Sequence, residues 1–244
     1  MMITRELDPT QPTPSSEIQS RVFLQPIAAP SILGLYGLAG ATFMVAAQTA
    51  HWFGPTNPAD ATFDTTMRLV PFAAIFGGLA QFLAGMWAYK ARDGVATAVH
   101  GTWGGFWMAF GILALFMSSG RVPATGSLMV PEMGYWFIVL AAITWACTAA
   151  AIAENKAMVT VLTFLAAGST ISAIALLAGV ESLMVVAAYL FIICAIAAWY
   201  TASALMINEA FGRTALSLGK SVRASQVQSI PGGMGEPGVI HGQV

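Results

Sequence analysis

The sequence predicts an all-α membrane protein in which six transmembrane helices form a channel-like bundle. The chain is 57% hydrophobic and only 9% charged, whereas soluble domains are about 25% charged. Five charge-free stretches hold 21, 27, 21, 24 and 27 residues, and a sixth runs from Arg21 to Asp60. A bilayer core about 30 Å thick is crossed by roughly 20 apolar helical residues. Each stretch is therefore long enough for one span.

The six predicted spans follow one another through short loops. We expect them at about Pro30–Phe53, Leu69–Tyr89, Gly94–Met117, Gly134–Ala153, Ala157–Val180 and Ser182–Ile207. Together they form one transmembrane domain over residues 27–212. The short loops leave no room for a folded domain outside the membrane.

The two ends of the chain differ in composition from the spans. Residues 1–26 are polar and rich in Pro and Ser, which predicts a disordered arm. Residues 213–244 are rich in Ser, Gly and Gln, which predicts a flexible tail. Eight Lys and Arg residues lie in the termini and the loops on their side, against Arg68 and Arg121 on the other side. The positive-inside rule therefore predicts a plasma-membrane protein with both termini in the cytoplasm.

Small residues recur at four-residue spacing in the first three spans. The pairs are Gly37–Ala41, Ala73–Gly77, Ala80–Ala84 and Gly101–Gly105, and span 1 also contains Gly34 and Gly40. Such spacing lets helix backbones approach closely within a membrane. It predicts tight packing inside one bundle or contact with a neighbouring protomer.

Polar residues within the spans mark a candidate route, because each is costly in a bilayer. Gln81 lies in span 2, and Thr97 and His100 share a face of span 3. Most Ser and Thr hydroxyls in these spans are expected to bond their own helix backbone. His100 fits either a pore lining or a structural hydrogen bond, since both ring nitrogens need partners. Gln81 fits either the route or an interhelical bond.

The absence of charge in the spans limits the mechanism. An isolated carboxylate in a low-dielectric core costs on the order of 20 kcal/mol in the idealised limit. A permeant solute is thus expected to be neutral, to cross as a protonated acid, or to be held by water, helix ends and hydroxyls. The chain shows no enzyme-like set of nucleophile, base and orienting group. No enzymatic activity, cofactor, metal or nucleic-acid partner is expected.

Aromatic residues crowd span 3, at Trp103, Phe106, Trp107 and Phe110. Most are expected to face lipid or to pack against other helices. An aromatic side chain that meets the polar face would form a narrow apolar gate.

Four stretches resemble the microbial acetate uptake transporters (the AceTr or YaaH family). These stretches are Pro30-Ser31-Ile32-Leu33-Gly34-Leu35, Gly77 to Gly85 with Tyr89-Lys90, Gly105-Phe106-Trp107, and Phe211-Gly212-Arg213-Thr214 after span 6. The likeness covers roughly residues 29–219, with all six spans in register. It implies a ring-shaped homo-oligomer, a hexamer, with one pore in each subunit.

The resemblance also implies uptake of acetate and related short monocarboxylates, by symport with protons. The three residues that narrow the family's pore correspond to Leu38, Trp103 and Ser169. Gln81, Thr97 and His100 would lie near the path. The chain departs from the family pattern at Ala29, Ile32, Ala46 and Ala88.

Three functional hypotheses follow from these observations. The first is a permease or channel for acetate or a related monocarboxylate that crosses with a proton or as the protonated acid. The second is a channel for a neutral or weak-base solute such as ammonia, urea or an amide. The third is a membrane interaction protein that does not transport.

Overall fold

The computed structural model describes residues 28–53, 63–121 and 130–219. These residues confirm the six predicted spans. The first is α1 (Ser31–Thr49). The second comprises α2 (Phe63–Phe72), a π-helical segment (Ala73–Ala80) and α3 (Gln81–Ala91). The remaining four are α4 (Gly94–Ser118), α5 (Met133–Ala151), α6 (Lys156–Ala178) and α7 (Glu181–Phe211). The predicted arm over residues 1–26 lies outside the described residues.

Several helix ends follow from local sequence. Asp93 begins α4 by accepting a hydrogen bond from the Ala96 backbone N–H at 2.8 Å, and Asn155 does the same for Met158 at the start of α6. Gly179 and Gly212 end α6 and α7 in the left-handed conformation, which glycine adopts without steric cost. These polar caps and glycines separate the apolar spans.

The six spans form a closed ring in chain order. Each span packs against the next, and α7 returns to pack along α1. We call the end where α1 begins and α7 ends the inner end, because the charge pattern predicts that it faces the cytoplasm. The opposite end is the outer end. A ring of this kind encloses an interior to which every span contributes one face.

Glycines bring the backbones of the first three spans together. A Cβ on Gly77 would clash with Ala41, and a Cβ on Gly104 would lie 2.6 Å from the Phe82 nitrogen. Gly101 and Gly105 differ, since a Cβ on either would meet nothing within 4 Å. Small residues therefore pack the bundle at Gly77 and Gly104, while a side chain added at Gly101 or Gly105 would point into open space in the described chain.

The chain beyond α7 folds back along the inner end. Residues 213–219 are the described part of the predicted tail, and residues 220–244 lie outside the described residues. Asn208 binds the returning chain at Ala215 and Leu216 through both polar atoms of its side chain. The Lys156 and Ala157 backbone N–H groups donate to Gly219 and Leu218. These bonds join the end of α7 to the start of α6.

Candidate functional site

A cavity with an empty volume of about 410 Å³ lies in the outer half of the ring. Five helices line it, with side chains that include Thr42, Val45, Trp107, Phe137, Ser172 and Phe191. Most of the lining is apolar. An apolar lining with a few placed polar groups is typical of small-molecule sites.

Three side chains that line this cavity each have a polar atom without a hydrogen-bond partner among the described residues. The atoms are Thr42 Oγ1, Trp107 Nε1 and Ser172 Oγ, and all three side chains are buried. We call them the outer polar group. The indole nitrogen can only donate, while the hydroxyls can donate or accept. An unpaired buried group costs about 1–3 kcal/mol, so this arrangement suits a ligand that brings oxygen acceptors.

One helical turn further inward, Leu38, Trp103 and Ser169 lie at a common depth. Leu38 lies four residues before Thr42 on α1, and Trp103 and Ser169 lie one turn inward of the outer polar group on α4 and α6. All three are almost fully buried. Trp103 Nε1 donates to Thr144 at 3.1 Å, and the Ser169 hydroxyl donates to the Leu165 carbonyl. These residues offer no unpaired polar atom, and we call them the apolar block.

The aromatic residues of α4 support this block from within the ring. Trp103, Phe106, Trp107 and Phe110 are all buried, so they pack in the interior instead of facing lipid. The Phe106 ring centroid lies 5.5 Å from Trp103 and 5.0 Å from Trp107, in edge-to-face contacts. Such contacts hold the Trp103 indole in one orientation.

Gln81 and His100 are 0% and 1% exposed, and both pack against α1, His100 at Gly34 and Gln81 at Gly37. Neither side chain has a hydrogen-bond partner among the described residues, and the same is true of the Ser31 hydroxyl near the start of α1. Thr97 differs, because its hydroxyl donates to the Asp93 carbonyl at 2.7 Å. We call Ser31, Gln81 and His100 the inner polar group.

One face of α1 carries residues of, or next to, the inner polar group, the apolar block and the outer polar group. Ser31, Gly34, Leu38 and Thr42 follow at spacings of three, four and four residues, which places them in a row along the helix. The sequence predicted Leu38 from the resemblance and Gln81 and His100 from their polarity. It missed Ser31 and Thr42. The three-to-four-residue row on α1 was the signal that could have found them.

Two carboxyl groups stand at the inner end, between α3 and α4 and between α5 and α6. Burial and, to a smaller extent, the nearby Asp93 carboxylate together raise the pKa of Glu154 to about 7. Burial also raises the pKa of Asp93, against the hydrogen bonds from its helix N-terminus. Two acidic groups that crowd one partly buried space favour the proton-bound form of Glu154.

Two of the four stretches that carry the family resemblance lie at the start of the first span and the end of the last. Pro30 precedes α1, Gly34 and Leu35 are buried, and Leu33 is exposed on the outside of the ring. At the other end Phe211 is exposed, Gly212 ends α7, and Arg213 and Thr214 begin the returning chain. These two stretches therefore frame the inner end of the bundle, whereas Phe106 and Trp107 of the third stretch line the cavity.

Six apolar spans around a layered interior define a multi-pass α-helical membrane protein with a channel-like core. The model of the GPR1/FUN34/yaaH family matches residues 11–216. The chain belongs to this family.

Relatives and a solved structure agree with that assignment. The chain is 24% identical over 196 residues to the succinate-acetate/proton symporter SatP of Escherichia coli (strain K12), covering 80% of this chain and 97% of SatP. It is 33% identical over 86 residues to the ammonia transport outward protein 2 of Saccharomyces cerevisiae, covering 35% of this chain and 28% of that protein. The structure of the bacterial acetate channel SatP superposes with a TM-score of 0.69 at 23% identity, covering 80% of this chain and all of SatP. The fold is shared along the whole length of that channel.

Proposed function

We propose that this protein is a permease or channel for acetate or a related short monocarboxylate, and not an enzyme. It acts in the plasma membrane with its inner end in the cytoplasm. The observation that carries the proposal is the outer polar group, three unpaired buried polar atoms on side chains that line an otherwise apolar cavity. A short acid fits both features, since its oxygens accept from Trp107 and the hydroxyls while its alkyl group contacts the apolar lining. The names of the bacterial relative and of the solved channel support the same solute class.

The proposed route runs from the outer cavity through the apolar block to the inner polar group. None of the spans carries an ionised residue along this interior. A bare carboxylate is therefore disfavoured at the block, and the solute crosses with a proton or as the protonated acid. Leu38, Trp103 and Ser169 form the narrow part of the route in this proposal, and Thr97 lies beside its inner end.

The test is uptake of labelled acetate into proteoliposomes by the wild type and by variants of the outer polar group. Trp107→Phe removes the N–H group and keeps the aromatic ring, while Thr42→Val removes only a hydroxyl. Losing one hydrogen bond to the solute costs about 0.5–1.5 kcal/mol, so uptake at low acetate should fall about 2–10-fold in each variant.

Thr148→Val is the matched control for these variants. Thr148 is buried on α5, but its hydroxyl donates to the Thr144 carbonyl at 2.8 Å and lies outside the cavity lining. We expect wild-type uptake from this variant. Wild-type uptake no faster than in empty liposomes would overturn the proposal, as would an equal loss in all three variants.

A second candidate function is a channel for ammonia or another neutral solute. The yeast relative's name and the absence of ionised groups in the spans favour it. Stopped-flow swelling of proteoliposomes with urea, acetamide and ammonium separates the two functions. Fast ammonia entry without acetate uptake would support the second, and no flux of any solute would support a membrane interaction protein.

We also propose that copies of the chain assemble into a ring, a hexamer by the family resemblance. The Gly101 and Gly105 positions of α4 support this assembly, because an added side chain at either would meet no atom of the described chain.

A further inference from the structure

Four aromatic rings that line the outer cavity form a closed circuit. They are Trp103 and Phe106 on α4, Phe137 on α5 and Phe191 on α7. The Phe106 ring centroid lies 5.5 Å from that of Trp103 and 5.6 Å from that of Phe137. The Phe191 ring closes the circuit, at 6.3 Å from Trp103 and 6.4 Å from Phe137. Aromatic pairs attract one another at such separations, so three helices share one packed set of rings, which we call the aromatic wall.

Phe191 is the least restrained member of the aromatic wall. Trp103, Phe106 and Phe137 are 2%, 3% and 2% exposed, and the Trp103 indole is also hydrogen-bonded to Thr144. Phe191 is only partly buried, and it packs at the boundary between the main apolar core and a smaller cluster formed by α1 and α7. A change at Phe191 therefore alters the wall with the least damage to the core.

Gly168 on α6 determines where the Phe191 ring lies. A Cβ on Gly168 would lie 2.7 Å from Phe191 Cε1 and 2.8 Å from Phe191 Cδ1. Carbon atoms that are not bonded to each other are about 3.5–4.0 Å apart at their optimum. Any side chain at Gly168 would therefore push the ring away from α6, towards Trp103 and Phe137 and the cavity that they line.

The Phe191 ring lies inward of the outer polar group. Ser172 is four residues beyond Gly168 on α6, which places it on the same face and about 6 Å nearer the outer end. Phe191 is also the innermost of the α7 residues that line the cavity. An acid whose carboxyl group meets Ser172 and Trp107 would thus direct its alkyl group inward, against the aromatic wall.

The wall discriminates between acids by size alone, because it presents apolar surface to the solute. Each methylene that an acid buries in an apolar site raises its affinity about fourfold. That gain ends when the alkyl chain reaches a surface that cannot move, since overpacking is unfavourable in a well-packed interior. The position of the wall therefore fixes the longest chain that the cavity holds.

We propose that Phe191, seated against Gly168, limits the length of the carboxylic acid that this protein accepts. This inference rests on the proposed function and deepens it. Gly168 is a positioning residue in this scheme, and Phe191 contacts the alkyl group of the solute. The two residues lie on different helices, so the proposal can be tested from either side of one contact.

The test is inhibition of labelled-acetate uptake by unlabelled straight-chain acids of two to six carbons, in proteoliposomes with a strongly buffered lumen at one fixed pH. We expect inhibition by the wild type to weaken sharply at the longest acids. Phe191→Ala removes the ring, and the potency of hexanoate relative to acetate should rise at least about tenfold, from two newly accommodated methylenes at about fourfold each. Phe191→Leu should give a smaller rise. Monodisperse protein on size exclusion shows that each variant is folded.

Gly168→Ala approaches the same contact from α6. Its methyl group displaces the Phe191 ring into the cavity, so the potency of butyrate relative to acetate should fall about fourfold or more. The double variant Gly168→Ala/Phe191→Ala has no ring to displace and should show the profile of Phe191→Ala. Gly94→Ala is the matched control, because a Cβ on Gly94 meets nothing within 4 Å in the described chain. It should keep the wild-type profile.

The outcomes separate this inference from the proposed function. Wild-type acetate uptake with the same order of acids in Phe191→Ala, Phe191→Leu and the wild type would overturn the inference and leave the function standing. An equal loss of potency for all acids in a folded Phe191 variant would also overturn it, since that result indicates a structural role. Absence of acetate uptake by the wild type would overturn the proposed function. Calorimetric titration of the purified proteins with the same acids would then still measure the order of chain lengths and decide whether Phe191 sets it.

Discussion

Buried hydroxyl groups in this protein fall into two sets that have the same residue types. Thr144, Thr148 and Ser169 each donate to the carbonyl four residues earlier in their own helix. Thr42 and Ser172 are equally buried and make no such bond. Sequence reasoning favours the backbone bond for every Ser or Thr in a span. Only the structure separates a satisfied hydroxyl from one that can bind a ligand.

Glu154 is the residue whose charge state depends most directly on its surroundings at the inner end. The native state holds the Glu154 proton up to pH about 7, whereas an unfolded chain releases it near its ordinary value of 4.5. The native state thus binds more protons between these values, and stability falls as pH rises through them. We expect Glu154→Gln to raise the Tm in detergent by about 2–4 °C at pH 8, and to change it little at pH 4.

Asp93, the charged neighbour of Glu154, provides the control for this prediction. Asp93→Asn removes one carboxylate and keeps a residue that caps α4 well. Because the folded-state pKa of Glu154 drops when its charged neighbour is removed, the pH at which the fall in stability ends should move below that of the wild type. Identical Tm values for Glu154→Gln and the wild type between pH 4 and pH 8 would contradict the assignment.

At the scale of elements, α7 and the returning chain depend on one side chain. The Asn208 amide donates to the Leu216 carbonyl at 2.8 Å, and its oxygen accepts from the Ala215 and Leu216 N–H groups at 2.7 and 2.9 Å. Asn208→Ala removes all three bonds. We expect faster hydrogen exchange across residues 213–219 and a stability loss of about 1–3 kcal/mol. Asn208→Asp keeps the two acceptor bonds and should fall between the wild type and Asn208→Ala.

The six spans could be predicted from sequence because the thickness of the bilayer core sets both the length of a span and the spacing of the charged residues between spans. All six spans are confirmed, and α4 begins at the predicted Gly94. The π-helical segment at Ala73–Ala80 could not be predicted. Its residues have the same apolar composition as an α-helix, and the wider turn depends on close packing of Gly77 and Gly78 against α1 and α4.

At the scale of the whole molecule, ring closure decides which residues belong to the candidate site. The contact of α7 with α1 brings the two ends of the domain together, and Tyr36 on α1 shares a hydrogen bond with Ser203 on α7 at 2.9 Å. Sequence patterns identify each span, but they do not show which residues of different spans lie at the same depth in the bundle. The common depth of Leu38, Trp103 and Ser169 came from the resemblance, while the outer cavity needed coordinates. Their roles in transport stay predictions.

Assembly of the protein can be tested on two kinds of glycine in one helix. Gly105 and Gly101 face open space in the described chain, whereas Gly104 packs against the Phe82 backbone. Gly105→Leu should therefore leave the protomer folded but obstruct a neighbouring copy, if α4 lies at the interface between subunits. We expect light scattering in detergent to show a smaller assembly for Gly105→Leu, with wild-type helix content by circular dichroism. Gly104→Leu is the contrasting variant, and it should lower the folded yield because its side chain would enter the α3 backbone. An unchanged assembly in Gly105→Leu and Gly101→Leu would place the α4 face against lipid and move the interface to another span.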